Sequence, residues 1–470
     1  MPEGVGFFIS PKCRKILLQI TEKFCSKLPD FKIFCIFAAE NQSFIMIKKY
    51  KKRIADELLA KKLQYIGAVL IQGPKWCGKT TTAEQAAKSI LYMDDPENGE
   101  SNLIMANTEP KKLLEGETPR LIDEWQLAPS LWDSVRFTVD HRDGFGQFIL
   151  TGSAVPADKS HIHHSGTGRF SWMTMRPMSL YESGESNGTV SLANLFTSPE
   201  KIAETNNLNF EDIAYLICRG GWPQAVNIGG DLALNIASEY YNAVVESDIS
   251  RADNISRNPS RVKRLLRSYS RHQGSQTPIR TIKQDLLDNE ASSFDDETIN
   301  SYINALKKIF VVDDIPAWNP NLRSKTAIRT SDTRYLVDPS IGAAALEIGP
   351  DDLINDLSTM GLLFESMCIR DLRVFAESLD GNIYHYRDHN GLECDAVIHL
   401  KGGSYGLIEI KLGGSALIEQ GANTLLKLAS KIDTTKMKNP SFMMVLTAVG
   451  KYAYRRDDGV FVVPIGCLKN

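Results

Sequence analysis

A short apolar run, Val69-Leu70-Ile71-Gln72, leads straight into Gly73-Pro74-Lys75-Trp76-Cys77-Gly78-Lys79-Thr80, and a helix-like Thr81-Thr82-Ala83-Glu84-Gln85-Ala86-Ala87 follows. A strand, a glycine-bounded loop and a helix start are the three parts of a cradle for a triphosphate. Gly73 and Gly78 let the backbone curl so that successive N–H groups face phosphate oxygens. The positive end of the helix dipole lies behind them, and the Lys79 ammonium reaches the β and γ oxygens. The Thr80 hydroxyl is a ligand for Mg²⁺. Gly73, Pro74, Lys75, Trp76, Cys77, Gly78, Lys79, Thr80 and Thr81 are therefore the expected nucleotide contacts. The competing reading is a glycine-rich turn between packed elements. Lys79 weighs against it, because a lysine buried without an anion is costly.

The chain has 470 residues, too many for one core, so two or three domains are expected. A net charge of −3 gives no global attraction to nucleic acid, and any basic surface must be local. The eight cysteines are scattered without a C-x-x-C pair, which speaks against structural zinc and a disulfide framework and fits a reducing, cytoplasmic setting. No apolar run approaches the roughly 20 residues that span a bilayer, so no membrane partner is expected. Residues 1–45 differ from the rest in weak helical periodicity and dense cysteine, whereas a clean amphipathic pattern begins at Met46. The expectation is that Met46 is the initiator and that residues 1–45 are a non-native or disordered extension.

From Met46 on, the pattern divides into residues 46–200, 201–345 and 346–470. In the first, Ile54, Leu58, Leu59 and Leu63 have helical spacing. Apolar segments at 69–72, 89–93, 119–125 and 147–153 read as strands, and residues 129–139 as a crossover helix with Pro129 in its first turn. Strands separated by helices imply a parallel sheet with ligands at the strand C-termini. Residues 205–290 read as mostly helical. A helix near 299–306 followed by short strands at 310–312 and 335–337 suggests a winged-helix-like part. The last third reads as a helix from Leu357 to Val374, alternating β segments and a final helical stretch.

Asp123 and Glu124 close the third predicted strand. Phosphoryl transfer calls on positioning and electrostatics more than on covalent chemistry. Asp123 would hold the Mg²⁺ shell and Glu124 would orient and deprotonate the attacking water. Thr151 and Ser153, at the next strand end, would face the γ-phosphate, although Thr-Gly-Ser also makes an ordinary turn.

Residues 46–200 resemble an AAA-type P-loop ATPase. Leu121-Ile122-Asp123-Glu124-Trp125-Gln126, Leu150-Thr151-Gly152-Ser153, Gly168-Arg169-Phe170 and Arg176-Pro177-Met178-Ser179-Leu180-Tyr181-Glu182 are similar to a prokaryotic ATPase family whose C-terminal part is a domain of unknown function. The resemblance extends over nearly everything after residue 46. It implies ATP and Mg²⁺ and supplies no biological substrate. The chain departs from the pattern at Thr151, where many AAA ATPases carry asparagine. Arg169 is the candidate for an arginine that completes the nucleotide site, with Arg136 and Arg142 as competitors. His161, His163 and His164 lack a partner cluster and read as a polar loop.

The last third carries a second set. Glu365 lies on the predicted helix, Asp395 follows the hairpin-like 384–387, and the alternation of Tyr405 to Lys411 puts Glu409 and Lys411 on one strand face. Two acids and a lysine can hold a divalent cation and lower the pKa of its water. The order Glu, Asp, Glu-x-Lys resembles the restriction-endonuclease-like PD-(D/E)-x-K fold, with Gln420 as a helper. The alternative is a salt-bridged structural strand. Arg257, Arg261, Lys263, Arg264, Arg267 and Arg271 form a basic run that either contacts DNA phosphates or is a solvated face paired with acids. Cys77 is either an activated thiol or a small space-filler.

The expected architecture is α/β: an AAA-type P-loop sheet, a helical and winged-helix-like middle, and a nuclease-like C-terminal part. The leading function is an Mg²⁺-dependent ATPase switch. The alternatives are an ATP-gated, metal-dependent DNA nuclease and a non-hydrolysing, nucleotide-dependent interaction module. ATP is the expected partner, with DNA and self-association left open.

Overall fold

The sheet that presents the glycine loop has five parallel strands in the order β2 (Ser89–Tyr92), β3 (Arg120–Asp123), β4 (Phe148–Gly152), β1 (Ala68–Gln72), β5 (Phe170–Thr174). Here and below, a computed structural model describes residues 50–154, 166–198, 203–287, 295–320 and 331–470. Residues 1–45, Met46 and the three histidines His161, His163 and His164 lie outside the described residues.

Helix α1 (Ile54–Leu63) buries Ile54, Leu58 and Leu59, as their spacing predicts. It leads to β1 (Ala68–Gln72), α2 (Lys79–Ala86) and β2 (Ser89–Tyr92). A helix, α3 (Gly99–Thr108), then crosses to β3 (Arg120–Asp123), and α4 (Leu131–His141) crosses to β4 (Phe148–Gly152). Pro129 precedes α4 rather than sitting in its first turn: Ser130 is the cap. The sheet ends with β5 (Phe170–Thr174), paired with β1. Because all strands run the same way, the loops that follow β1, β3, β4 and β5 share one edge.

Two short strands, β6 (Val190–Ser191) and β7 (Ala203–Thr205), leave this sheet and pair with strands from the end of the chain. The middle is helical: α5 (Phe210–Arg219), α6 (Leu234–Ala243), a π-helical turn at Val244–Asp248, α7 (Pro259–Arg271), α8 (Ile279–Leu287), α9 (Asp296–Lys308) and α10 (Pro339–Leu346). The strands expected at 310–312 and 335–337 are reduced to isolated antiparallel bridges, Val312 with Leu336 and Ile315 with Thr333.

The 22-residue helix α11 (Leu357–Ser378) is buried all round from Ser366 to Arg373 and packs beneath a seven-stranded sheet. Its members in chain order are β8 (Gly381–Arg387), β9 (Glu393–Leu400), β10 (Tyr405–Lys411), then, after α12 (Ser415–Lys431), β11 (Phe442–Thr447), β12 (Tyr452–Arg455) and β13 (Phe461–Pro464), with β7 at the edge beside β12. The chain closes with β14 (Leu468–Lys469) on β6, not with the expected helix. Strands β11 and β13 pair in parallel and are buried on both faces, so their apolar runs lack the alternation that marks a half-exposed strand.

One apolar core joins Ile54, Leu180 and Leu216 to Leu363, Phe375, Ile408 and Val463, so Tyr50–Asn470 packs as one body. No helix among the described residues is long and apolar enough to cross a membrane.

Candidate functional site

Gly73 leaves β1 with φ at 153°, and a Cβ there would lie 2.0 Å from the Met175 carbonyl oxygen. Only glycine lets the loop turn this close to the end of β5. Gly78, at φ 95°, caps α2 in the left-handed region. Lys79 is buried, and its ammonium donates to the Pro74 carbonyl over 2.8 Å. A phosphate offers the same ammonium a full negative charge in place of a carbonyl dipole.

Asp123 ends β3 beside Thr151 of β4. The Thr80 hydroxyl donates to Asp123 Oδ1 over 2.8 Å, and the Thr151 hydroxyl donates to the same oxygen. Burial raises the Asp123 carboxyl above its ordinary pKa, the two hydroxyls oppose this, and the neighbouring Glu124 adds to it. A buried carboxylate beside a hydroxyl is a set of hard oxygen donors, which fits Mg²⁺. Glu124 follows with φ at 53°, a left-handed backbone that strains a residue with a side chain. Its carboxylate accepts from Gln126 and, over 3.2 Å, from Ser153. Gly73, Pro74, Lys79, Thr80, Asp123, Glu124, Thr151 and Ser153 thus meet at one edge of the sheet. Thr81 is exposed on the first turn of α2.

Lys75 and Trp76 turn towards the middle helices instead. Lys75 Nζ pairs with Asp248 Oδ1 of the π-helical turn at 2.7 Å, and Trp76 packs edge-on against Tyr240 of α6. Cys77 is fully buried, with its thiol 3.5 Å from the Met175 carbonyl, and fills space among Val69, Ile71 and Met173.

Arg169 does not reach this edge. Its carbonyl accepts from Ala68 N at the start of β1, so it lies at the opposite end of the sheet, with its guanidinium 2.6 Å from Asp140. Arg136 pairs with the same aspartate, and Arg142 lies over Phe148 at the start of β4. Being next to a strand in sequence does not say which end of it a side chain occupies.

The arginine that does touch the loop is Arg53, which no motif marked. It is buried and donates from Nη1 to the Cys77 carbonyl, from Nη2 to the Arg176 carbonyl, each over 2.8 Å, and from Nε to Glu182. Its signal in the sequence is slight: a basic residue at the cap of α1, complemented by the Ser179–Glu182 capping box far along the chain.

The second set also converges. Lys411 on β10 reaches Glu409 over 2.7 Å and Asp395 of β9 over 3.3 Å, and Asp395 accepts the Ile410 N–H over 2.7 Å. Glu365 of α11 accepts from the Tyr335 hydroxyl. Burial pushes the Glu365 and Glu409 carboxyls well above their ordinary range, and the Asp395 charge pushes the same way; Lys411 opposes both. Like charges so close are held by one ammonium. Among the described residues no group of three or more His, Cys, Asp or Glu is arranged as a ready metal site, and here Lys411 is the counter-ion. Gln420 is exposed on α12.

The basic run occupies α7 and the residues before it, and much of it is paired within the chain. Arg257 grips Asp253, Lys263 faces Glu246, Arg267 faces Glu347 and Arg271 faces Asp285. Arg261 and Arg264 also have partners.

Comparison with known proteins bears on the three parts separately. Residues 66–184 match an AAA domain, residues 210–352 a domain of unknown function (DUF8612), and residues 360–468 another (DUF4143). No curated protein matches. Among solved structures, the Walker-type ATPase PABY2304 of Pyrococcus abyssi is similar at 15% identity, covering 62% of this chain and 94% of that one, with a TM-score of 0.39. The Aeropyrum pernix ORC1 protein in complex with DNA is similar at 10% identity, covering 66% and 96%, with a TM-score of 0.22. The parallel sheet and its glycine loop, which have the form of a P-loop fold, lie in the segment that matches the AAA domain, residues 66–184.

Proposed function

We propose that this chain hydrolyses ATP with Mg²⁺ and uses the cycle as a switch on a DNA or protein partner in the cytoplasm. The observation that carries the reading is the Thr80–Asp123–Thr151 cluster beside Lys79, with Glu124 held next to it by Gln126 and Ser153. In this reading the loop N–H groups from Gly73 to Thr81 bind the phosphates, and Lys79 exchanges the Pro74 carbonyl for the β and γ oxygens. Thr80 and Asp123 would hold Mg²⁺, which when bound neutralises charge on the phosphates. Glu124 orients a water and takes its proton as the water oxygen bonds to the γ-phosphorus. The bond from that phosphorus to the β–γ bridging oxygen breaks, and ADP and phosphate leave. Thr151 and Ser153 would read the γ-phosphate through Asp123 and Glu124.

The test is ATP turnover in Mg²⁺ by the wild type, Lys79→Ala and Glu124→Gln. Loss of at least about a hundredfold in both is expected. Undiminished turnover in Lys79→Ala rejects the reading. Tight binding without turnover in the wild type favours the non-hydrolysing module.

A second activity, metal-dependent DNA cleavage gated by ATP, is supported by the convergence of Glu365, Asp395, Glu409 and Lys411 from three elements. Support for a DNA partner rests on this cluster rather than on α7, whose basic residues already have partners. The division into 46–200, 201–345 and 346–470 is kept as the proposed domain plan. Arg169, on the far end of the sheet, would serve a nucleotide only on a neighbouring copy of the chain.

A further inference from the structure

The carboxylates of the C-terminal cluster are largely covered: the Glu409 side chain is 5% exposed and that of Asp395 19%. Glu365 and Asp395 line a crevice of about 20 Å³, enough for one water and far too small for a phosphodiester. Part of its wall belongs to the middle of the chain, the rest to α11, β8 and β9. Tyr335, fully buried, donates its hydroxyl to Glu365. Gly274 lies so close that a Cβ there would sit 2.7 Å from Glu365 Oε1. Gln276 closes the rim by a 3.0 Å hydrogen bond to His385 of β8.

Tyr335 is also tied towards the phosphate loop. Its carbonyl accepts from Asp313 N over 2.9 Å, and its own N–H donates to Asp314 over 3.1 Å. The Asp313 carboxylate is gripped by Arg176 over 2.8 Å and by Arg373. Arg176 follows β5, and its carbonyl is held by the same Arg53 that holds the Cys77 carbonyl. A continuous set of polar contacts thus runs from the loop through Arg53, Arg176, Asp313 and Tyr335 to Glu365.

We infer that this is the closed state of the acid cluster, with Tyr335 as the closing contact, and that nucleotide binding at the loop opens it through Arg53, Arg176 and Asp313. The inference rests on the nuclease-like reading for its purpose but not for its geometry. Tyr335 is a positioning residue: it holds Glu365 and the wall, and touches no reacting atom.

Carboxyl footprinting tests it on the full chain, using a carbodiimide and glycine ethyl ester, both larger than the crevice. Modification of Glu365 and Asp395 is compared with that of exposed Glu211, with and without a non-hydrolysable ATP analogue. In the nucleotide-free wild type, both acids should react at least about tenfold more slowly than Glu211. The analogue, or Tyr335→Phe, should raise their rates about tenfold, since a buried carboxylate without its donor favours the open form. Gln276→Ala, which touches none of the acids, should act in the same direction and serves if Tyr335→Phe does not fold. Acids that react as fast as Glu211 in the wild type, or stay protected with the analogue and in both variants, overturn the inference. Mn²⁺ titration of the opened variant addresses the other reading. Binding lost in Asp395→Ala supports both, whereas unmasked acids that bind no Mn²⁺ leave the closure standing and reject the nuclease-like reading.

Discussion

Arg53 Nε and Glu182 Oε1 stand 3.0 Å apart with side chains only 4% and 1% exposed, a buried ion pair between the entry to the first helix and a turn near residue 180. Burial alone would raise the Glu182 carboxyl, but the Arg53 charge and the N–H groups of Ser179 and Ile54 bring it below its ordinary value. The two remaining guanidinium nitrogens hold the carbonyls of Cys77 and Arg176, so the pair braces the loop against the end of β5.

Removing one partner of such a pair leaves the other charge buried and alone, at a cost of about 3–5 kcal/mol. Arg53→Ala is therefore expected to lower stability by roughly that amount in urea unfolding and to weaken ATP binding, because the Cys77 carbonyl loses its anchor. Glu182→Gln should do less, since it can still accept a hydrogen bond from Arg53. The stability due to Glu182 is present above the ordinary glutamate pKa and is lost as pH falls through its depressed value. The wild type should thus lose more stability than Glu182→Gln on going to acid.

The phosphate loop was readable because strand, loop and helix are contiguous, and Asp123 and Glu124 because they end an apolar run. Arg53 was not, because its partners lie at Cys77, Arg176 and Glu182, and nothing local marks the meeting. Arg169 misled for the converse reason: the motif that contains it is real, but a parallel strand has two ends and the residue sits at the wrong one. In the last third, Glu409 and Lys411 were fixed by a period of two along one strand. The Tyr335 wall around Glu365 is a contact between parts of the chain that no periodicity announces. Strands β11 and β13 were blurred because burial on both faces erases alternation.

Asp248 pairs with Lys75 of the loop at 2.7 Å. Asp248→Ala frees one ammonium beside the loop and removes a negative charge, so ATP should bind more tightly. Lys75 is 43% exposed, which limits the gain to about 0.2–1 kcal/mol, or at most about fivefold in Kd. Titration with a fluorescent ATP analogue at low and high salt checks this: the gain should shrink as salt rises. A weaker affinity would mean that the pair organises the loop rather than restrains it.

Arg370 joins Asp338 at 2.9 Å and Asp371 at 2.7 Å, all three buried, and the same two carboxylates accept the N–H groups of Gly221 and Leu180. This triad is one of the places where the first part of the chain, the middle and α11 share polar contacts. Arg370→Met should cost about 3–5 kcal/mol, since two buried carboxylates lose their cation. The triple replacement of Arg370, Asp338 and Asp371 by apolar residues should recover part of that loss. Thermal unfolding of the three proteins decides between a charge effect and a packing effect. No recovery in the triple variant would mean that the backbone hydrogen bonds to Gly221 and Leu180 matter more than the charges.

Glu365 gives a pH prediction whose sign follows from its surroundings. Its carboxyl shares the crevice with Asp395, Lys411 and the Tyr335 hydroxyl are favourable partners, and burial with the charges of Asp395 and Glu409 raises its pKa in the folded chain. Between the ordinary glutamate value and the raised one, the folded state binds more protons than the unfolded state. Stability therefore falls as pH rises through that interval. Glu365→Gln has the same shape, keeps an acceptor for Tyr335 and cannot ionise, so it should melt at or near the wild-type temperature in mildly acidic buffer. In mildly alkaline buffer it should melt a few degrees higher. A divalent cation that binds the wild-type acids would remove part of the difference by stabilising their charged forms, whereas Glu365→Gln should respond less. A variant less stable than the wild type at every pH would show that the Glu365 charge, rather than its proton, is what the fold uses.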